Sequence, residues 1–314
     1  MALYTDRPAV ATTLLHPAAA ETFVACPRPP GAGSHLLAAI FSGAPELFQS
    51  GYRFPGWRQL LVRGTAPASQ YDQLIQLLRA GTAIPDRTAC IAAEGSGFHG
   101  FRGRTWSALR GNVHLAVHFA PRREIERFDT AFMALAAISL AEAVDGVPNM
   151  HGRARIKWVN DILVGGRKVG GVLAYTQSRG RAVEAVVLGL GLNVEATPDV
   201  ERSAFVPAVG SLRDFAAVST SRVLTALLSR LDHNYMQLLG EGFQPIMDRY
   251  RSLSAVLGQE VTIYPELGSG PAKAFAAGRV HGIGDSLELH LDGRTEPVRS
   301  GRLLLGNIAM EAIP

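Results

Sequence analysis

Apolar and polar positions follow different rhythms in three stretches of the chain. Residues 1–57 carry short apolar pieces such as LLAAIF (36–41), broken by alanine, proline and glycine, with CPRPPGAGSH (26–35) the clearest loop. Their periodicity fixes no element. They are expected to be either an extra layer on the main domain or a partly ordered extension of uncertain role. Residues 58–253 read as α+β. QLLVRG (59–64), TACIAAE (88–94), NVHLAVHF (112–119) and AVEAVVLGLGLNV (182–194) are apolar runs of strand length. SQYDQLIQLLRAG (69–81) places Leu74, Leu77 and Leu78 on one helical face, with Gly81 where a C-cap belongs. A long helix is expected near 128–144 and a strand pair over 154–177. A further helix from about 221 to 253 carries Val223, Leu224, Leu227, Leu228 and Leu231 in a stripe. Residues 254–314 change to short runs, EVTIYPE, AFAAGRVHGIG, SLELHLDG and TEPVRSGRLLL, between glycine and Asp-Gly turns. That spacing predicts a small β-barrel.

Composition narrows the classes. The 314 residues suffice for a large domain and a smaller one, and 47% hydrophobic with 18% charged residues is a globular balance. No charge-free apolar run reaches the ~18 residues of a membrane span. The start MALYTDRPAV has no basic segment leading into an apolar one, so a cytoplasmic protein is expected. Cys26 and Cys90 are too few for a disulfide framework and lack metal-ligand spacing, so no protein-borne metal site is expected. A net charge of +4 and a pI of about 9.3 allow an anionic partner and select none.

The chemistry concentrates in KWVNDILVGGRKVGGVL (157–173). Two strands joined by the Gly165-Gly166 turn can bring Lys157, Asp161 and Lys168 around one cleft. Two ammonium groups and a carboxylate would then stabilise charge building on an acyl phosphate. Gly170 and Gly171 remove side chains where a ligand could lie against bare backbone. A lone GGRK would be a solvated basic turn; the whole run is another matter. GSGFHGFRGRTW (95–106) sets glycines among His99, Arg102 and Arg104, a loop able to close on phosphate by N–H groups and guanidinium forks. VVLGLGLNV (186–194) is by itself a buried strand, and its glycines are no dinucleotide fingerprint.

The order of the Gly/Arg loop, Gly111-Asn112, KWVNDIL, GRKVGGVL and GLGLNV resembles the catalytic domain of biotin protein ligases, from about residue 58 on. The last stretch resembles their SH3-like barrel. The resemblance implies a mixed sheet flanked by helices with a small C-terminal SH3-like β-barrel, divided at 57/58 and 253/254. It implies biotin, ATP and Mg²⁺ as reactants and cofactors, an acyl-adenylate intermediate, and a lysine on a biotin carboxyl carrier-type acceptor. A homodimer is allowed; nucleic acid and membrane are not expected as partners. By motif, Lys168 meets the substrate carboxylate and phosphate, with Asp161 and Arg104 as the other catalytic groups. Ser69, Gln70, His99, Gly100, Arg102, Gly103, Trp106, Lys157, Asn160, Gly170, Gly171 and Asn193 are the implied substrate and adenylate contacts. Asn160 and Asp161 fall on the nucleotide, metal or acceptor-lysine side.

Several positions depart from the family pattern. Its loop reads GRGRRGR; here Phe98, His99 and Phe101 replace the first glycine and the first two arginines. A neutral His99 is a poor substitute for a guanidinium, which implies weaker retention of the adenylate or lost activity. The turn S-T-N is Ser69-Gln70-Tyr71, and the glutamine before the loop is absent, leaving Gly95 and Ser96. Those changes leave open another acid such as lipoate, or a non-catalytic binding protein, beside biotin.

Overall fold

The computed structural model describes residues 2–15, 22–27, 32–200, 208–266 and 273–306. Parts of the CPRPPGAGSH loop and of the C-terminal stretch, 28–31 and 307–314, lie outside them.

The first stretch supplies β1 (Ala2–Thr5), α1 (Pro8–Leu15), β2 (Val24–Ala25), α2 (Ala32–Ile40) and β3 (Phe48–Ser50). β1 pairs parallel with β4 (Gln59–Ala66) and antiparallel with β3, so these residues are a layer of the main sheet. Buried Arg63 of β4 fastens them. It pairs with Asp6 at 3.4 Å and donates to the carbonyls of Ile40 and Ser42 at the end of α2. The strands escaped the sequence reading because they are two to four residues long, too short to show a period.

The next elements match the apolar runs: α3 (Gln70–Arg79), β5 (Thr88–Gly95), β6 (Val113–Phe119), β7 (Arg123–Glu124) and α4 (Phe128–Asp145). Then come β8 (Ala154–Lys157), β9 (Asp161–Val164), β10 (Arg167–Arg179) and β11 (Ala182–Leu192). Gly81 follows α3 with φ +77, the left-handed turn that ends a helix. Gly165 and Gly166 both have positive φ, as a two-residue hairpin between β9 and β10 requires. Among the described residues the main sheet runs β2-β3-β1-β4-β5-β6-β11-β10-β9-β8, with β7 beside β11. It is mixed: β1, β4 and β5 are parallel and the rest antiparallel.

Both faces of its centre are buried. Helix α4 is apolar on every side and packs on one face, with α1, α5 (Thr220–Glu241) and α6 (Phe243–Ser252) around it. Helices α2 and α3 cover the opposite face with a smaller cluster around Leu37, Phe41, Leu74 and Cys90. Strand alternation then decides which residues go where. In β11, Val186, Leu188, Leu190 and Leu192 join the α4 core, while Val187 joins the α3 side.

The single helix expected over 221–253 is two. Gly242 between α5 and α6 takes φ 87 and ψ −166, a conformation no helix interior has. The C-terminal unit is a small antiparallel sheet in the order β14 (Leu289–Leu291), β13 (Ala276–Ile283), β12 (Glu260–Tyr264), β15 (Arg302–Leu305), consistent with an SH3-like unit. It is tied to the main domain by Trp158 Nε1 donating to Leu287 O at 2.5 Å and by Arg251 pairing with Asp285 at 2.6 Å. Among the described residues no helix is long and apolar enough to cross a membrane.

Replacing Gly242 with alanine forces a Cβ into a region nearly closed to L-residues. Gly242→Ala is expected to destabilise the fold by about 1–3 kcal/mol, read from the urea midpoint. An unchanged midpoint would show that the break does not need glycine.

Candidate functional site

The α3 face of the sheet is thin where β6, β10 and β11 meet. Gly171, Gly189 and Gly191 point their missing side chains there, and Ala116 adds a methyl. Rings from α3 and from the 95–106 loop occupy the margin. A Cβ on Gly189 would sit 3.0 Å from Tyr71, and one on Gly191 2.6 Å from the Trp106 indole. The result is an apolar slot walled by Tyr71, Phe98, Phe101, Trp106 and Leu173.

The loop 95–106 forms one wall as a closed hairpin. Gly100 N donates to Arg104 O at 2.6 Å, Trp106 N to Phe98 O at 3.0 Å, and His99 bridges Thr105. Gly103 turns it with φ +73. Trp106 Nε1 donates to His114 Nδ1 at 3.3 Å, and His114 Nε2 faces Leu109 O at 2.9 Å. That pattern requires a neutral imidazole, and burial pushes the His114 pKa down to about 4.

At one end of the slot lies Gln70, in the first turn of α3 and 1% exposed. Neither its Oε1 nor its Nε2 has a hydrogen-bond partner among the described residues. Ser69 also lines the slot, but its hydroxyl caps α3 by accepting from Asp72 N at 3.5 Å. At the other end Lys168 Nζ pairs with Asp161 at 2.6 Å. Asn160 braces this corner, its Nδ2 donating to Val172 O at 2.8 Å. The Trp158–Val159 peptide before it is cis.

Phe101, Asn160 and Asp161 also border a second hollow, between the hairpin and the C-terminal unit. It is cationic: Lys157, Arg102, Arg104, Arg299 and Arg302 line it, against the carboxylates of Asp161 and Glu266. Burial, and then the charges of Lys168, Arg104 and Arg302, bring the Lys157 pKa down to about 8, with Asp161 opposing. Burial and Arg104 lower that of Arg302. Arg102 is paired with Glu266, and Arg104 Nε donates to Phe101 O at 3.2 Å.

Most of the expected residues therefore meet. Lys157, Asn160, Asp161, Lys168, Gly171, Ser69, Gln70, His99, Gly100, Arg102, Arg104 and Trp106 border the two hollows. Two do not. Gly170 is one residue from Gly171, so the pleat turns it to the other side, where a Cβ would meet Gly191 O at 2.8 Å and Leu140 at 3.2 Å. Asn193 is 1% exposed and ties the sheet to the next loop, donating from Nδ2 to Gly210 O at 3.0 Å. His99 has a partner that its place in the loop does not show. Its Nε2 lies 2.9 Å from Asp72, and that hydrogen bond raises the imidazole pKa above its ordinary value. Sequence reasoning missed His114, Glu266, Arg299 and Arg302. The R-S-G-R run at 299–302 was a visible cue; the others depend on which loops meet.

The family model described as the biotin/lipoate A/B protein ligase family matches residues 74–193. The biotin–[acetyl-CoA-carboxylase] ligase of Paracoccus denitrificans is 30% identical over 222 residues, covering 69% of this chain and 89% of that protein. The protein of the same name from Mycobacterium tuberculosis is 31% identical over 258 residues, covering 78% and 88%. Among solved structures, the biotin protein ligase of Aquifex aeolicus in complex with biotin and ATP superposes with a TM-score of 0.59 at 20% identity. It covers 79% of this chain and 99% of that one, and shows the fold.

The two neighbouring glycines of β10 give a test of the face assignment. Gly170→Ala presses on a carbonyl and two leucines, and is expected to lower stability by about 1–3 kcal/mol in urea denaturation. Gly171→Ala meets its nearest atoms only at 3.6 Å, and should stay within about 0.5 kcal/mol of wild type. Equal losses would refute the assignment.

Proposed function

The chain belongs to the biotin/lipoate A/B protein ligase family, and we propose that this cleft activates biotin with MgATP and transfers the acyl group to a lysine of a biotin carboxyl carrier-type protein. The observation that carries the reading is the slot itself. It has at one end a buried amide with no partner among the described residues, an ammonium–carboxylate pair at the other, and a cationic hollow beyond. A buried amide left unpaired costs roughly 1–3 kcal/mol. A ureido group, with a carbonyl acceptor and N–H donors, answers both atoms of Gln70. The aliphatic tail fits the apolar walls, and the carboxylate reaches Lys168.

In the first step a carboxylate oxygen attacks the α-phosphorus of ATP and pyrophosphate leaves. Lys168 neutralises the carboxylate and the phosphoryl oxygens as charge shifts between them. Lys157, Arg104 and Arg302 face the polyphosphate. Mg²⁺ enters with ATP as substrate, and the cleft fits such an ion. Magnesium is usually held by one or two carboxylates plus phosphates, and Asp161 and Glu266 are the carboxylates available. In the second step the acceptor lysine, after losing its proton, attacks the acyl carbonyl and AMP leaves. Asp161 is the carboxylate positioned to receive that ammonium. The hairpin with Gly100, Gly103 and Trp106 closes the slot against water.

A division at 253/254, a cytoplasmic setting and a homodimer as the assembly belong to the same proposal; a division at 57/58 does not, because β1 and β3 are strands of the main sheet. The free thiols Cys26 and Cys90 support a reducing compartment.

ATP–pyrophosphate exchange over a panel of acids tests the reading. Biotin-dependent exchange is expected. Exchange on lipoate alone would move the substrate, and none on any acid would leave a binding protein. Lys168→Ala should lower the biotin-dependent rate by about 10²–10³-fold while the fold persists. Near-wild-type exchange would refute the role of Lys168. The KM for MgATP should depend on pH through Lys157. The ammonium is intact below about 8 and neutral above it, so KM rises as pH passes that value. Lys157→Arg should flatten the rise, and a KM that is flat in wild type would refute the assignment.

A further inference from the structure

His99 stands between two acceptors. Its Nε2 lies 2.9 and 3.0 Å from the two carboxylate oxygens of Asp72, and its Nδ1 lies 3.1 Å from Gly100 O. A neutral imidazole carries one N–H and can answer only one of them; an imidazolium answers both. Asp72 is itself fixed, in the first turn of α3, with its N–H held by the Ser69 cap. An acid at that position is also favoured by the helix dipole. The pair therefore joins the covering hairpin to the helix that carries Gln70.

We propose that Asp72 is a positioning residue that pins the covering hairpin through protonated His99, so that the hold on the acyl adenylate weakens as pH rises. This rests on the ligase reading of the slot. No direct contact between Asp72 and substrate is needed; its effect passes through the hairpin wall formed by Phe98, His99 and Phe101.

The surrounding groups fit a protonated His99. Tyr71 of α3 meets the imidazole edge-on at 6.2 Å, and burial holds its phenol neutral. His114 of β6, in the same slot, is neutral. Lys168 of β10 and Asp161 of β9 pair with each other at 2.6 Å. Within the hairpin, Arg102 pairs with Glu266 and Arg104 donates to Phe101 O. The Asp72 hydrogen bond is the largest influence on His99 and raises its pKa, against a smaller opposing effect of burial. A raised value in the pinned state sets the sign. The pin is complete below the ordinary histidine pKa, near ~6.5, and is lost as pH climbs through the raised value.

The test measures dissociation of biotinyl-5′-adenylate from the full chain between about pH 5.5 and 8. Wild type should release it ~2–5-fold faster across the His99 titration, the range of a partly exposed ion pair. Asp72→Asn should release it quickly at every pH in that range, and His99→Arg slowly, both without the step. A separate step near 8 from Lys157 persists in both variants and is thereby set apart. Hydrogen exchange over 98–106 in the ligand-free chain should follow the same titration in wild type and lose it in Asp72→Asn. A wild-type pH step retained in Asp72→Asn overturns the proposal. Failure of biotinyl-5′-adenylate to bind overturns the ligase reading instead. The exchange measurement then decides the pin by itself: a pH-dependent protection lost in Asp72→Asn supports it, and a flat profile refutes it.

Discussion

A β-strand offers its side chains to two faces in strict turn, and in β10 and β11 one of those faces already belongs to helix α4. Val172, Leu188, Leu190 and Leu192 fill the space against it, and because interiors are close-packed that set cannot be shifted by a residue without losing the core. What remains for the other face is fixed by the same register: Gly171, Leu173, Gly189 and Gly191. On β6 the matching positions are His114 and Ala116. The sheet is left bare at its centre, and rings from α3 and the hairpin, Tyr71, Phe98 and Trp106, build walls around the gap rather than filling it. The slot is thus a consequence of where small residues fall in a register set by the far side of the sheet.

Charge is arranged along the slot by the same means. Lys157 ends β8, Asp161 begins β9 and Lys168 sits across the hairpin from them, so one short meander delivers two ammonium groups and one carboxylate to a single corner. Arg302 arrives from β15, in the other unit. Burying cations together is unfavourable without an anion among them, and the depressed Lys157 and Arg302 record that penalty. Lys157, Arg102, Arg104, Arg299 and Arg302 outnumber Asp161 and Glu266 around the hollow, and under the proposed ligase reading that excess of positive charge suits a polyphosphate.

That history explains what the sequence displayed. The long elements of 59–194 were legible because each has enough turns or alternations to show its period, and the order of the KWVNDIL and GRKVGG motifs carried the catalytic corner. Gly170 was misassigned by treating a pair of glycines as one surface, although the period of a strand allows only one of two neighbours to face a ligand. The His99–Asp72 pair was hidden because its members are 27 residues apart on different elements. Arg302 was hidden because its role depends on how two units meet. The β1–β3 segment was hidden for a simpler reason: its strands are stabilised by pairing with β4, a tertiary cause that local pattern cannot express.

The altered loop also changes what holds it shut. An arginine-rich loop gains most of its partners when phosphate arrives, so ligand and order come together. Here the contacts are largely within the protein. Phe98 packs 5.7 Å from the His114 ring, Trp106 lies on the bare backbone of Gly191, His99 grips Asp72, and Arg102 reaches Glu266. A neutral ring replacing a guanidinium forfeits charge–charge attraction to the adenylate but adds contact that exists before any ligand binds. Closure is then governed more by these internal bonds and less by the phosphate. Preorganisation of this kind lowers the entropy lost on binding, and it moves control of opening from the nucleotide to the residues that clamp the hairpin.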